Sequence, residues 1–463
     1  MSRSARKYTF ISKVATSMIM LLCSLMTEGK THNAERTYDV VIVGGTPAGI
    51  TTAISAAQAG CSCVILERDN YVGGLPANGL GATDIATRGA TTGLFTEFTR
   101  LNLEKYKELY GNDSPQVKAC SDGYHFEPHK ASESFGKMLS GNYAGNITVL
   151  TMKQFDSSSD NILKHKNRII SIKVSDRISG KTEKYYGKVF IDATYEGDLG
   201  AAAGVPFRLG REGRDEFDEP CAGKIYRWWK HGPDEDGTSY EGDGAIQAYN
   251  YRLCLTDDTT NCVAIPKPEQ YDRNEYLSLI DDVLSGRNTD VRFSRVSAEQ
   301  MEQNRKRILE GGRTAIPGDV WGMSKVTNMV TLPNRKKDAN NQHLALISTD
   351  LPEENQPWPT ASWEWRDGFA QRLKEYTLGL LWFAQHDEEL PESFRKACLK
   401  YGLAADEYKD NGNFPRQVYV REGRRLEGTY FFTKKRQTAH SFRINHFQPL
   451  CLGFPCSAQA RKE

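Results

Sequence analysis

The sequence predicts an α/β fold, and three observations in one short stretch carry that prediction. A run that is apolar but for Asp39, Tyr38 to Val43 (YDVVIV), leads into a glycine-rich turn, Gly44 to Gly49 (GGTPAG). Small and apolar residues at helical spacing follow from Ile50 to Ala59, and a second apolar run, Cys63 to Glu67 (CVILE), ends on an acid. A strand covered on both faces reads as a continuous apolar run, and parallel strands need a crossover, usually a helix. Strand, glycine turn, helix and strand in this order make a βαβ unit of the mononucleotide-binding kind.

The residues of the turn point to a dinucleotide. Gly44 and Gly49 stand where the first and last glycines of a GxGxxG fingerprint belong, while the middle glycine is Thr46. A side chain there costs some closeness to a pyrophosphate. Thr46 is also a good N-cap, and Pro47 suits the first helical position. Beyond them the helix start, with Ala48 and Gly49, presents free N–H groups and the positive end of the helix dipole to a diphosphate. Glu67 closes the second strand, where an acid accepts hydrogen bonds from the ribose hydroxyls of adenosine and repels a 2′-phosphate, which disfavours NADP. Gly73 and Gly74 form the second glycine pair usual in FAD domains of the glutathione-reductase type, so the expected dinucleotide is FAD. The stretch after them, LPANGLGATD, contains no cysteine, which argues against redox-active disulfide chemistry. The expected cofactor set in this part of the chain is Gly44, Gly45, Thr46, Pro47, Ala48, Gly49, Glu67, Arg68, Gly73 and Gly74.

The remaining elements follow in order. Gly73 to Asp84 is too rich in glycine and proline for regular structure and reads as a loop over something. Phe95 to Leu109 and Pro128 to Leu139 read as amphipathic helices, the second with Pro128 at a permitted first-turn position. Asn167 to Ser175 and Glu183 to Ala193 read as a hairpin joined at Ser179 and Gly180, and a helix is expected to begin near Asp198. Beyond Val205 the chain turns polar and aromatic, with turn-prone stretches such as Gly232 to Gly244, which suits an inserted β-rich or α+β substrate domain. Leu373 to Asp387 returns to helical spacing. From Thr433 onward neither periodicity persists. The expected division is a leader at 1–34, an FAD-binding domain at 35–205, a substrate domain at 206–370, a helical return segment at 371–432 and an atypical tail at 433–463.

With 60 Lys and Arg against 59 Asp and Glu, the 463-residue chain carries a formal charge of +1, so no global field draws it to nucleic acid or an anionic membrane. Arg3, Arg6, Lys7 and Lys13 precede an uncharged run from Val14 to Met26, the layout of a secretory signal, with cleavage expected between Thr27 and Ala34. The run falls short of the roughly 20 residues that a spanning helix needs. The expected location is therefore outside the cytoplasm, with Asn112 and Asn146 as glycosylation acceptors. Of the 10 cysteines, Cys254 and Cys262 flank a polar turn and are the best disulfide candidates, with two separate thiols as the alternative. No cysteine spacing fits a zinc module.

The stretches VVIVGGTPAGI, GLGATD, FEPHKA, FIDATYEGDLGAAAGV, QAYNYRLCLT, PNRKKD, YTLGLLWF and REGRRLEGTY resemble, in order, the FAD-dependent oxidoreductase family, some of whose often secreted members carry the label xanthan lyase. The resemblance implies a Rossmann-like, glutathione-reductase-like FAD fold and bound FAD. It adds Ala193, Thr194 and Glu196 to the cofactor neighbourhood, against a turn and helix cap at Asp198. His129 is a candidate acid or base, with a hydrogen-bonded structural histidine as the alternative. A metal site shared with His125 is disfavoured because Pro128 separates the two residues. Arg335, and Arg421, Arg424 and Arg425 of REGRR, are candidates to hold a carboxylate or to offset negative charge at the flavin, against ordinary surface ion pairs. Members of the family usually continue past REGRR into a segment that closes over the flavin. The tail here departs from that pattern, and the expectation is a truncated, spliced or frame-shifted member whose FAD is loosely held or absent. The functional expectation is hydride transfer to flavin from a small organic substrate, a carbohydrate derivative among the candidates. The alternatives are a non-catalytic flavin-fold protein and a polysaccharide lyase, for which no base and charge-neutralising cluster is evident.

Overall fold

The structure is a computed structural model that describes residues 36–85, 87–227, 233–287, 296–343, 345–431 and 433. The expected leader and nearly all of the atypical tail lie outside the described residues.

The nucleotide unit forms as its pattern requires. Strand β1 (Arg36–Val43), helix α1 (Pro47–Gln58) and β2 (Cys63–Leu66) precede helices α2 (Gly93–Tyr110) and α3 (Pro128–Leu139). Strands β3 (Ile147–Leu150), β4 (Lys153–Gln154), β5 (Ile162–His165), β6 (Arg168–Asp176) and β7 (Thr182–Asp192) complete a sheet of order β3-β2-β1-β7-β6-β4, with β5 on β6. From β3 to β7 the neighbours are parallel, and the β6–β7 hairpin supplies the antiparallel part. Alternate residues of the apolar runs serve opposite faces. Val40, Ile42, Cys63 and Ile65 pack with Ile50, Ala53 and Ile54 of α1 and Phe98 and Phe135 of α2 and α3. Val41, Val43, Val64 and Leu66 pack on the other side with Ile172, Tyr185 and Leu199. Both faces are covered, which is why the buried stretches Val40 to Val43 and Cys63 to Leu66 contain no charged residue.

Helix α4 (Asp198–Ala202) follows β7 directly, and a second sheet takes its order β10-β13-β9-β12-β11 from Leu253–Thr256 (β9), Cys262–Val263 (β10), Thr327–Thr331 (β11), Lys336–Asn341 (β12) and Gly402–Ala404 (β13). The short strands Phe207–Arg208 (β8) and Arg425–Leu426 (β14) pair with each other. The second sheet therefore crosses the boundary expected at 370/371, because β13 comes from the segment taken as a separate return. Its core is built on Leu253, Leu255, Tyr276, Leu380, Leu381 and Phe383.

Helix α5 (Trp363–His386) begins ten residues before the expected start, capped by Ser362, whose hydroxyl accepts from Trp365 N at 3.3 Å. Its first turns escaped the periodic reading because the charged Arg366 there is buried and paired with Asp198 instead of solvated. The expected Cys254–Cys262 disulfide is corrected: both thiols are free, and β13 lies between β9 and β10. Two strand spacings come to about 9.5 Å, beyond the roughly 7 Å limit on Cα separation for a disulfide.

Candidate cofactor site

The turn between β1 and α1 is held from three sides. Gly44 has φ +103, and a Cβ on it would lie 2.7 Å from Ala193 O, so the strand that returns at β7 presses directly on the turn. A Cβ on Gly49 would collide with Gly44 O, which shows the last glycine serving close contact between helix and strand. Thr46 caps α1 as expected, although its bond from Gly49 N is long at 3.4 Å and its hydroxyl donates to Ala193 O at 2.7 Å. Thr46 thus ties the helix start to β7 as much as it caps the helix.

Glu67 stands at the end of β2, where its two carboxylate oxygens accept from Gly45 N at 2.6 Å and Asp69 N at 2.9 Å. Burial, with Asp69 and Glu196 nearby, pushes its carboxyl up to about 7. Glu196 is buried in the same crevice, accepts from Trp358 Nε1 at 3.2 Å, and is also pushed up to about 7 by burial and by Asp198.

Tyr195 lies in front of the turn. Its hydroxyl accepts from Leu75 N at 2.9 Å. A Cβ on Gly74, itself at φ +53, would strike that hydroxyl and lie 3.0 Å from Pro47 Cδ. Gly44, Gly45 and Thr46 are buried by protein atoms, whereas Ala48 is exposed. The helix start, the acid at the end of β2 and the glycine cradle all fit an FAD diphosphate and ribose. Seating the diphosphate requires the Tyr195 side chain to swing away.

A buried ion cluster sits beneath this crevice. Asp198 at the start of α4 accepts from Arg366 Nη1 and Nη2 at 2.6 and 2.9 Å and from Arg424 Nη1 at 2.6 Å. Burial pulls the Arg366 guanidinium down and its acid neighbours raise it by more, so it stands above its usual range. The cluster joins the nucleotide unit, α5 and the REGRR stretch in one place.

A family profile described as FAD dependent oxidoreductase matches residues 39–443. The chain belongs to the FAD-dependent oxidoreductase family. Its family cofactor is FAD, and the match reaches eleven residues into the stretch expected to be an atypical tail. Comparison with curated proteins returns no match. Among solved structures, the oxidoreductase is similar to a glycerol-3-phosphate dehydrogenase from Bacillus halodurans complexed with FAD, at 11% identity over 40% of this chain and 42% of that one, TM-score 0.26. It is similar to the myxobacterial chondrochloren halogenase CndH at 13% identity over 50% and 45% of the two chains, TM-score 0.28. It is also similar to Thermovibrio ammonificans THI4 at 18% identity over 46% and 75%, TM-score 0.25. The chain thus spans less than half the length of the first two.

The structure distributes the remaining sequence candidates unevenly within this FAD-dependent oxidoreductase. Ala193 packs on Gly44, but the Thr194 hydroxyl donates to Asp192 Oδ1 at 2.7 Å and accepts from Gly197 N at 2.9 Å, the bonds of a turn. Arg68 turns to α5 instead of the crevice, paired with Asp367 at 2.6 Å and stacked 4.0 Å from the Trp363 ring. Arg335 is 61% exposed and pairs with Asp257, the surface arrangement. Arg424 is buried on Asp198, and Arg425 pairs with Glu422 and Glu212.

His129 takes the hydrogen-bonded alternative: its Nδ1 lies 2.6 Å from Glu407 Oε1, apart from His125, whose Nδ1 lies 3.2 Å from Thr331 O. Glu127, His129, Asp406 and Glu407 offer ligand atoms within 4.8 Å of one another, a set with metal-like spacing. The ammonium of Lys336 occupies its centre, 2.6 Å from Glu127 Oε1 without hydrogen-bond alignment, and 2.7 and 2.8 Å from Asp406 and Glu407. Burial pulls Lys336 down but Glu407 and Glu127 outweigh it, so the group stays charged and serves as the cation.

Sequence reasoning missed Tyr195, Trp358, Lys336, Arg366 and Glu407. Lys336 opens β12 directly after Arg335, which lies in the preceding turn at φ +58, so no strand alternation marks which of the two faces inward. Nothing local marks Tyr195 or Trp358.

Proposed function

We propose that this FAD-dependent oxidoreductase oxidises a small organic substrate, with carbohydrate derivatives as the first candidates, by hydride transfer to flavin. The observation that carries the reading is the family match across residues 39–443, together with Glu67 held on the glycine turn that leads into α1. When bound, the flavin supplies the redox chemistry. The chain's own part is to grip and to orient. The start of α1 neutralises a diphosphate, Glu67 receives the adenosine ribose, and the Gly73–Asp84 loop lies against the second sheet, where Ala82 N donates to Asp338 Oδ2 at 3.1 Å. That contact brings the loop expected over the cofactor to the domain expected to hold substrate.

We also infer export, on the support of the basic and apolar leader alone; the N-terminal sequence of the protein recovered from medium tests it. The function is tested by the visible spectrum of the purified chain and by anaerobic bleaching against sugars and hydroxy acids. Flavin absorbance that bleaches with one of these substrates is the expected result. A protein without flavin, or a flavin that none of them reduces, contradicts it.

A further inference from the structure

Among the described residues, no negative charge is in contact with the guanidinium of Arg421. Its Nη2 donates to the side-chain oxygens of Asn250, Asn340 and Asn341 at 2.9, 3.1 and 2.5 Å. Its Nε is sealed from solvent with no hydrogen-bond partner. Among the described residues no carboxylate comes within ion-pair distance of it, whereas Arg424 and Arg425, a few residues on, are both paired.

A second guanidinium stands nearby, and the acid that acts on Arg421 does so through space and not in contact. The Tyr419 ring lies between two guanidinium groups, Arg421 at 5.0 Å and Arg252 at 5.3 Å. Arg252 has taken Asp338, bonded at 2.8 Å to Nε and in close contact at Nη2. The nearest acid that acts on Arg421 is Asp350, reached through Asn341, whose Nδ2 lies 3.5 Å from Asp350 Oδ2. Burial and Arg252 lower the guanidinium from its ordinary range, and Asp350 and Tyr419 offset this only in part. Arg421 is half-buried, and an arginine drawn this far out of water is ordinarily paired, because a desolvated charge without a counter-charge is unfavourable. Three carboxamide oxygens orient this one and leave its charge unmet.

The position matters as much as the charge. Arg416 N donates to Asn78 Oδ1 at 3.3 Å, so the segment that ends in Arg421 starts alongside the Gly73–Asp84 loop. A Cβ on Gly79 would strike Arg252 O, which places the loop backbone directly on the strand that carries the second guanidinium. The uncompensated charge therefore lies where the glycine loop meets the second sheet. We propose that Arg421 anchors the carboxylate of a small organic acid, so that the substrate of this oxidoreductase is an anion and not a neutral sugar. Guanidinium and carboxylate suit each other in shape and charge. The inference rests on the proposed oxidoreductase function and narrows it.

Calorimetry on the full chain, with its flavin content measured beforehand, tests the site. Acetate, L-lactate and D-glucuronate are compared with their neutral counterparts acetamide, propane-1,2-diol and D-glucose. The expected result is saturable binding of at least one carboxylate without its neutral counterpart, weakened by about tenfold to a hundredfold in Arg421→Met, the range for a hydrogen bond to a charged group. Asn340→Asp keeps the arginine and places an acid on it; it is expected to abolish carboxylate binding and to raise the melting temperature. The site is overturned if no carboxylate binds, if neutral and charged probes bind alike, or if Asn340→Asp binds as the parent does. It is also overturned if Arg421→Met changes only flavin retention or spectrum, since the arginine then serves the cofactor. A chain that binds carboxylate through Arg421 yet holds no flavin upholds the site and sinks the oxidoreductase reading instead.

Discussion

Glu67 and Glu196 meet in one crevice, and burial pushes each carboxyl up to about 7. The folded pKa lies above the unfolded value, so the folded chain holds these protons more tightly. The stability they contribute is full below the ordinary carboxyl range and is lost as pH rises through about 7. For a single acid a shift of this size is worth roughly 3 kcal/mol. Urea unfolding of the FAD-free chain is expected to give a lower midpoint at pH 8 than at pH 5, with a flatter dependence in Glu196→Gln; a midpoint that rises over this range contradicts the account. Tyr195 carries a second expectation. Tyr195→Phe removes the hydroxyl that accepts from Leu75 N, so stopped-flow flavin quenching should show FAD associating about fivefold faster, the worth of one hydrogen bond of about 1 kcal/mol. An unchanged rate means that the phenol does not close the turn. At this scale Gly44, Gly49, Thr46 and Glu67 were legible because each sits at a spacing that local geometry dictates. Tyr195 and Lys336 act on partners far along the chain, and no local pattern reports such pairings.

Helix α5 shows how elements are tied to the nucleotide unit. Arg366 reaches Asp198 at the start of α4, and Asp367 on the adjoining position pairs with Arg68 beyond β2. Both pairs join elements that the sequence reading assigned to different parts of the chain. Arg366→Met should destabilise the protein by about 3–5 kcal/mol, because it strips one of two guanidinium groups from a buried carboxylate; chemical denaturation measures it, and a loss below about 1 kcal/mol would place the pair among ordinary surface salt bridges. Most elements of the nucleotide unit were legible. Helix α3 runs over Pro128–Leu139 as expected, and β6 and β7 form the expected hairpin, because strand and helix periodicities there are uninterrupted. The start of α5 was not, since its apolar stripe is broken by Arg366, a charge that finds a buried partner in Asp198. The proposed disulfide failed for a related reason: the polar turn between Cys254 and Cys262 suggested adjacent strands, while β13 arrives from much later in the chain and separates them.

For the whole molecule, the family match over residues 39–443 and the βαβ crevice bear on the same claim from independent directions. The extent of the second sheet, with strands from Leu253 to Ala404, was not legible, because strands that pair across long separations leave no signature in any one window of sequence. What the molecule does depends on whether the turn after β1 receives FAD. Titration of the flavin-free chain with FAD, followed by flavin fluorescence, tests this most directly when the parent is set beside Gly49→Val, whose added side chain would strike Gly44 O. The account predicts saturable one-to-one quenching in the parent and its loss in a variant that still unfolds cooperatively. Equal quenching in both proteins, or none in the parent, would contradict it.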